Sequence, residues 1–177
     1  MSAPARPSLH LLLAAIALLF AAPAGAQPSD LAVKAAFLTK FGAYVGWPRL
    51  QTGPLTLCVV GSDPFGATLD GAARGQQVDG RPIAVRRLPA ATGAESCQIA
   101  FVEGASPPRT AELLQALRGK PVLTVTDSRA GPHRGMIHFV IDGGRVRFHI
   151  DQAAAQQSGL SLSSRLLAIA LSVRSAR

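Results

Sequence analysis

The sequence predicts an α/β fold: a mostly parallel, Rossmann-like sheet with helices on both faces and an added antiparallel hairpin. Three observations carry this. Short β-branched, apolar runs alternate with segments of helical spacing between Leu55 and Asp127. One such run, Leu55-Thr56-Leu57-Cys58-Val59-Val60, is halted by Gly61-Ser62-Asp63-Pro64, as where a buried parallel strand hands over to a helix. Clean apolar/polar alternation flanks Gly143-Gly144, a two-residue hairpin turn.

The chain has 177 residues, enough for one domain with a sizeable core. The segment 1–26 reads as a signal peptide: Arg6 supplies a thin positive region, Leu9 to Ala22 is almost unbroken apolar sequence, and Ala24-Gly25-Ala26 fits small-residue cleavage. A single domain over 27–177, exported to a bacterial periplasm, is therefore expected.

In that domain Ser29 or Asp30 caps a helix expected to run to about Val45 and to stop before Trp47-Pro48, because the residue preceding proline resists the α region. Phe37, Phe41, Tyr44 and Trp47 recur at helical steps, which makes them either core or a dimer or partner surface. After the Leu55 strand, Asp63-Pro64 starts a helix reaching Leu69 to Arg74. Ile83 to Leu88 is a second strand, with Arg86 and Arg87 marking an edge or a strand end. Cys97 to Val102 is a third strand, and Pro107-Pro108 opens a helix closed by Gly119. Pro121 to Asp127 is a fourth. A doubly wound order 2-1-3-4 sets the first and third strands side by side.

The hairpin pairs Met136–Ile141 with Val146–Ile150 so that Ile141 faces Val146, Phe139 faces Phe148 and Ile137 faces Ile150. A one-residue slip would scatter these six apolar side chains over both faces. Asp151 to Gln157 is a short alanine-rich segment broken by Gly159, and Leu160 to Val173 is expected as a last helix burying Leu166, Leu167, Ile169, Ala170 and Val173, with a basic tail from Arg174.

The formal net charge is +8, and removal of the leader takes only Arg6 from it. The basic residues are scattered, with Arg86-Arg87 the only adjacent pair, so nucleic acid is not an expected partner; acidic ligands, anionic head groups or an acidic protein surface suit the charge better. Cys58 and Cys97 are the two cysteines. In an oxidising compartment they are disulfide candidates; the other reading is a pair of buried thiols acting as small hydrophobes.

Chemistry is sparse. Gly61 to Gly66 lacks the Lys-Ser/Thr of a phosphate loop and the Gly-x-Gly-x-x-Gly spacing, and Ser62 is not in a Gly-x-Ser-x-Gly elbow, so a hydrolase built on Ser62 is a distant third reading. His138 and His149 oppose each other on the hairpin, but Arg147 beside them disfavours a cation. Arg147 with His149 is instead a candidate anion contact. No catalytic set, cofactor or metal site is expected.

Several runs, in order, resemble the YfiR family. They are Lys34-Ala35-Ala36-Phe37-Leu38, Tyr44-Val45-Gly46-Trp47-Pro48, Cys58 through Gly66, Cys97 opening a strand, Val122 through Asp127, Arg145-Val146-Arg147-Phe148-His149-Ile150, and Gly159-Leu160 through Leu167. The resemblance spans about Val33 to Val173. It implies a periplasmic α/β protein, commonly a homodimer, that represses a membrane-bound diguanylate cyclase by binding its periplasmic sensor region, lowering cyclic di-GMP signalling and biofilm formation. It also implies that Cys58 and Cys97 form the family's redox-sensitive pair. Some members carry a second cysteine pair around the hairpin, which this chain lacks. A non-enzymatic exported regulator is the expectation, with a periplasmic receptor for a small anionic ligand as the alternative.

Overall fold

A computed structural model describes residues 29–48 and 52–175. The expected signal peptide and the end of the basic tail lie outside the described residues.

Helix α1 (Asp30–Phe41) begins where the Ser29 hydroxyl accepts from the backbone N–H of Ala32, with Asp30 in the first turn and Lys40 in the last, both favourable to the helix dipole. It ends four residues earlier than expected. Gly42–Tyr44 tighten into a 3₁₀ turn, and β1 (Val45–Gly46) then pairs antiparallel with β9 (Ser161–Leu162), a contact that draws the chain out of helix.

The main sheet contains β2 (Leu55–Gly61), β3 (Gln77–Val78), β4 (Arg81–Leu88), β5 (Ile99–Glu103), β6 (Leu123–Asp127), β7 (Ile137–Asp142), β8 (Arg145–Asp151) and β10 (Ser172–Arg174). Its order is β10-β8-β7-β6-β5-β2-β4-β3. Strands β4, β2, β5, β6 and β7 are parallel, so the four strands expected first adopt the order 2-1-3-4. The hairpin has the anticipated register, with Phe139 opposite Phe148, Ile137 opposite Ile150 and Ile141 opposite Val146; Ile141, near the turn, remains exposed. Arg86 and Arg87 are exposed at the end of β4, with only the two-residue β3 outside it.

Connecting these are α2 (Ala67–Ala73), α3 (Pro107–Ala116), α4 (Gln152–Gln157) and α5 (Ser164–Ala168). Two of these elements depart from expectation. Asp63 does not start α2; its carboxylate accepts from the N–H groups of Phe65 and Gly66, a local turn that competes with helix, and α2 begins only after Gly66. The C-terminal segment is not one helix from Leu160 to Val173: α5 spans five residues, and Ser172–Arg174 pair parallel to β8. Leu166 is buried as expected, Leu167 and Ala170 are half-buried, and Ile169 and Val173 are exposed.

Each sheet face has its own core. On the α1 face Phe37, Phe41, Phe139 and Phe148 pack with ring centroids 5.4–6.4 Å apart, stacked and edge-on contacts worth about 0.5–1.5 kcal/mol each beyond area burial. On the other face α3 covers a smaller cluster containing Cys58, Val60, Val102, Leu113 and Leu117. Cys58 and Cys97 are joined there in a disulfide, with their Cα atoms 6.0 Å apart, tying β2 to the residue that leads into β5.

Candidate functional site

The carboxyl ends of β2 and β5 meet where the strand order reverses, the usual binding crevice of such sheets. Here the crevice is laced shut. The Ser62 N–H donates to the carbonyl of Glu103 at 2.6 Å, and a Cβ on Gly61, whose φ is +91°, would lie 2.1 Å from that same oxygen. Only glycine lets the two loops approach so closely. Arg87 then clamps the turn, bonding Asp63 at 2.7 Å, Asp70 at 2.9 Å and the Gly66 carbonyl at 2.9 Å. Burial alone would raise the Asp63 carboxyl, but the bonds from Arg87, Phe65 and Gly66 outweigh it and hold it below the usual range. Ser62 is exposed, and the carboxylate next to it in sequence, Asp63, is engaged by Phe65, Gly66 and Arg87.

Beneath the same edge lies a group that sequence reasoning did not single out. Lys34 of α1 is fully buried and donates to Asp127 at the end of β6, 2.5 Å away. Glu103 is close enough to feel both: burial first, then the Asp127 charge, raise its carboxyl above the ordinary value. A signal was present, because Lys34 falls on the same helical face as Leu38 and Phe41, an apolar face where a charge requires a partner.

The expected Arg147 and His149 contact stands on the sheet face away from α1. Both are half-buried; the His149 ring bonds the Ser172 hydroxyl at 2.7 Å, and Arg147 lies opposite Val140. His138 lies opposite His149 in the hairpin, as the register required. It is buried, with its ring nitrogen 2.8 Å from Thr126 Oγ1. Burial, then the charges of Arg134 and His149, depress its pKa to about 4, with Asp127 opposing. The fold thus excludes a proton that the unfolded chain binds below its ordinary value near 6.5. The contribution of His138 to stability is therefore flat above pH 6.5 and grows unfavourable as pH drops from there toward 4. Urea midpoints at pH 7 and pH 4.5 are expected to differ less in His138→Gln than in the parent; equal pH dependence in both would refute this assignment.

Of the aromatic stripe, Phe37, Phe41 and Tyr44 line a groove of about 440 Å³ between α1 and α5, together with Val33, Leu166 and Ile169. Phe41 is also part of the core, whereas Trp47 packs half-buried against the core and does not line the groove. Ile169 is 53% exposed, and Leu171 and Val173 continue the apolar surface along the chain. Sequence reasoning assigned Ile169 and Val173 to a buried helix face; their exposure follows from the turn at Ile169 and the strand pairing of β10. Among the described residues no group of three or more His, Cys, Asp or Glu is placed to hold a metal.

Comparison with known proteins gives three results. No curated relative matches the chain. Among solved structures, a conserved domain protein from Vibrio cholerae O1 biovar El Tor is similar at 12% identity and a TM-score of 0.48, covering 82% of this chain; the chain spans 60% of that protein. A family model described as YfiR/HmsC-like matches residues 31–171. That family is regulatory and non-catalytic, and its members are periplasmic. The match extends from the first turn of α1 to the residue before β10, so that it takes in both cores, the disulfide and the Lys34–Asp127 pair, and the chain belongs to the YfiR/HmsC-like family.

Proposed function

We propose that this chain is an exported, non-enzymatic regulator that binds the periplasmic region of an inner-membrane diguanylate cyclase and represses it, lowering cyclic di-GMP signalling. In this reading residues 1–26 are cleaved as a leader and 27–177 fold as one domain that also pairs with a second copy. Family membership supports the regulatory class. The observation that carries the docking step is the apolar groove between α1 and α5, extended by exposed Ile169 and Leu171. A chain that buries Phe41 and Leu38 completely has apolar residues to spare for its core, and a contiguous apolar patch left outside marks an interaction surface.

No helix among the described residues is long and apolar enough to cross a membrane, so in this reading the membrane segment belongs to the partner. The test is capture of detergent-solubilised membranes on the mature chain, with cellular cyclic di-GMP measured in parallel. The parent chain is expected to retain a diguanylate cyclase, and Ile169→Asp with Leu171→Asp to lose it by at least about tenfold, since charged groups are depleted at interface centres. Capture that survives both substitutions would remove this groove from the interface. Cyclic di-GMP that stays constant when the gene is deleted would end the regulator reading.

A further inference from the structure

A second groove, of about 440 Å³, opens beside α3, which covers the sheet face away from α1. It is bounded by the end of α3, by α4, and by the loop that leads into β7. Its rim is basic: Arg118, His133, Arg134 and Arg174 face a single carboxylate, Asp151. That carboxylate is already committed, because it pairs with Arg174 and also caps α4 by accepting from the Ala154 N–H at 3.0 Å. Neither Arg118 nor Arg134 has a carboxylate partner among the described residues.

The loop bearing His133 and Arg134 is held on a fixed base. Gly135 donates to Thr126 Oγ1 at 2.9 Å and Met136 to Thr124 Oγ1 at 3.1 Å. A Cβ on Gly135 would sit 2.7 Å from the Thr124 carbonyl, so the backbone is pressed against β6 at the point where Arg134 leaves it. The charge of Arg134 is felt inside the protein as well, as one of the groups that keep His138 neutral. The opposite wall supplies apolar surface from Leu114, Leu117 and Ala154.

We propose that this groove is a binding site for a small organic anion bearing two acidic groups, carboxylate or phosphate, on a carbon body. Two guanidiniums without carboxylate partners match paired or forked oxygen acceptors. The volume falls within the range of small-molecule sites and exceeds what a bare oxyanion fills, and the apolar wall suits the carbon body. The site lies apart from Arg147 and His149, which do not line it. It is also independent of the α1–α5 docking groove, so either can fail without the other.

The experiment is thermal unfolding of the mature chain at constant ionic strength with succinate, with phthalate and with inorganic phosphate. At least one organic anion is expected to raise Tm by about 3 °C or more at millimolar concentration through preferential binding to the folded state. Arg118→Gln with Arg134→Gln, both at exposed positions, is expected to keep the ligand-free Tm and to lose the shift, while Arg147→Gln keeps it. The proposal is overturned by no shift with either organic anion, by a shift that survives the double substitution, by an equal shift from inorganic phosphate alone, or by loss of the shift in Arg147→Gln instead. Cyclase capture by the double variant is scored separately and is expected to match the parent.

Discussion

Lys34→Ala is expected to destabilise the fold by about 3–5 kcal/mol, a large share of the stability of a domain this size. The substitution removes a cation that is wholly inside the protein and leaves Asp127 with a charge that has lost its 2.5 Å partner. It also leaves a gap between α1 and the end of β6, because Lys34 is among the largest fully buried side chains. Asp127 does retain one bond, from the Arg129 N–H at 3.1 Å, but that is no substitute for a buried opposite charge. The attraction itself is a poor measure of the effect, since taking both ions out of water costs about as much as their pairing returns. The penalty belongs to the orphaned carboxylate. Lys34→Met combined with Asp127→Asn removes both charges and keeps most of the volume, so its urea midpoint is expected to lie well above that of Lys34→Ala. A double variant no more stable than the single one would show that the loss comes from packing and not from charge.

Loss of the Cys58–Cys97 bridge is the second large effect, about 4 kcal/mol from the chain entropy of a loop spanning 39 residues. Cys58→Ala with Cys97→Ala should show it as a lower urea midpoint than the oxidised parent. The bridge is buried under α3, with Cys58 wholly inaccessible and Cys97 2% exposed. A thiolate must reach sulfur to reduce it, so reduction requires an opening of the α3 face. Reduction by dithiothreitol is accordingly expected to be slow in water and to accelerate steeply with sub-denaturing urea. Fast reduction of the native protein, unaffected by urea, would refute a sealed bridge and return it to the class of exposed redox switches.

What the sequence disclosed depended on how local the determining interaction is. The hairpin was legible to the residue, because Gly143-Gly144 leaves one register that collects Phe139, Phe148, Ile137 and Ile150 on one side. The parallel strand order was legible from the alternation of strands and helices. The β1–β9 contact was not, since two-residue strands carry no periodicity. The C-terminal segment misled for a related reason: Leu166 to Val173 is apolar enough for a helix, but Ile169, Leu171 and Val173 alternate, and the unpaired edge of β8 selects the strand. Of the candidate surfaces, Phe37, Phe41 and Tyr44 were found because they share one helix and the turn that ends it. Arg118, Arg134 and Arg174 were not, because elements far apart in sequence bring them together. Lys34 and Asp127 were each inside quoted motifs, yet the partnership spans 93 residues and is set by packing alone.

Strand β10 gives the molecule a shared gear. Its three residues pair with His149, Ile150 and Asp151, so Ser172 and Arg174 point to the basic side of the sheet and Val173 to the side that α1 covers. The chain reaches this strand from Ile169, which borders the apolar groove, and leaves it through Arg174, which borders the basic one. Sliding β10 by one position along β8 would turn Arg174 toward the apolar side and Val173 toward the guanidiniums. The alignment of three backbone pairs therefore keeps the molecule's two recognition chemistries on separate sides.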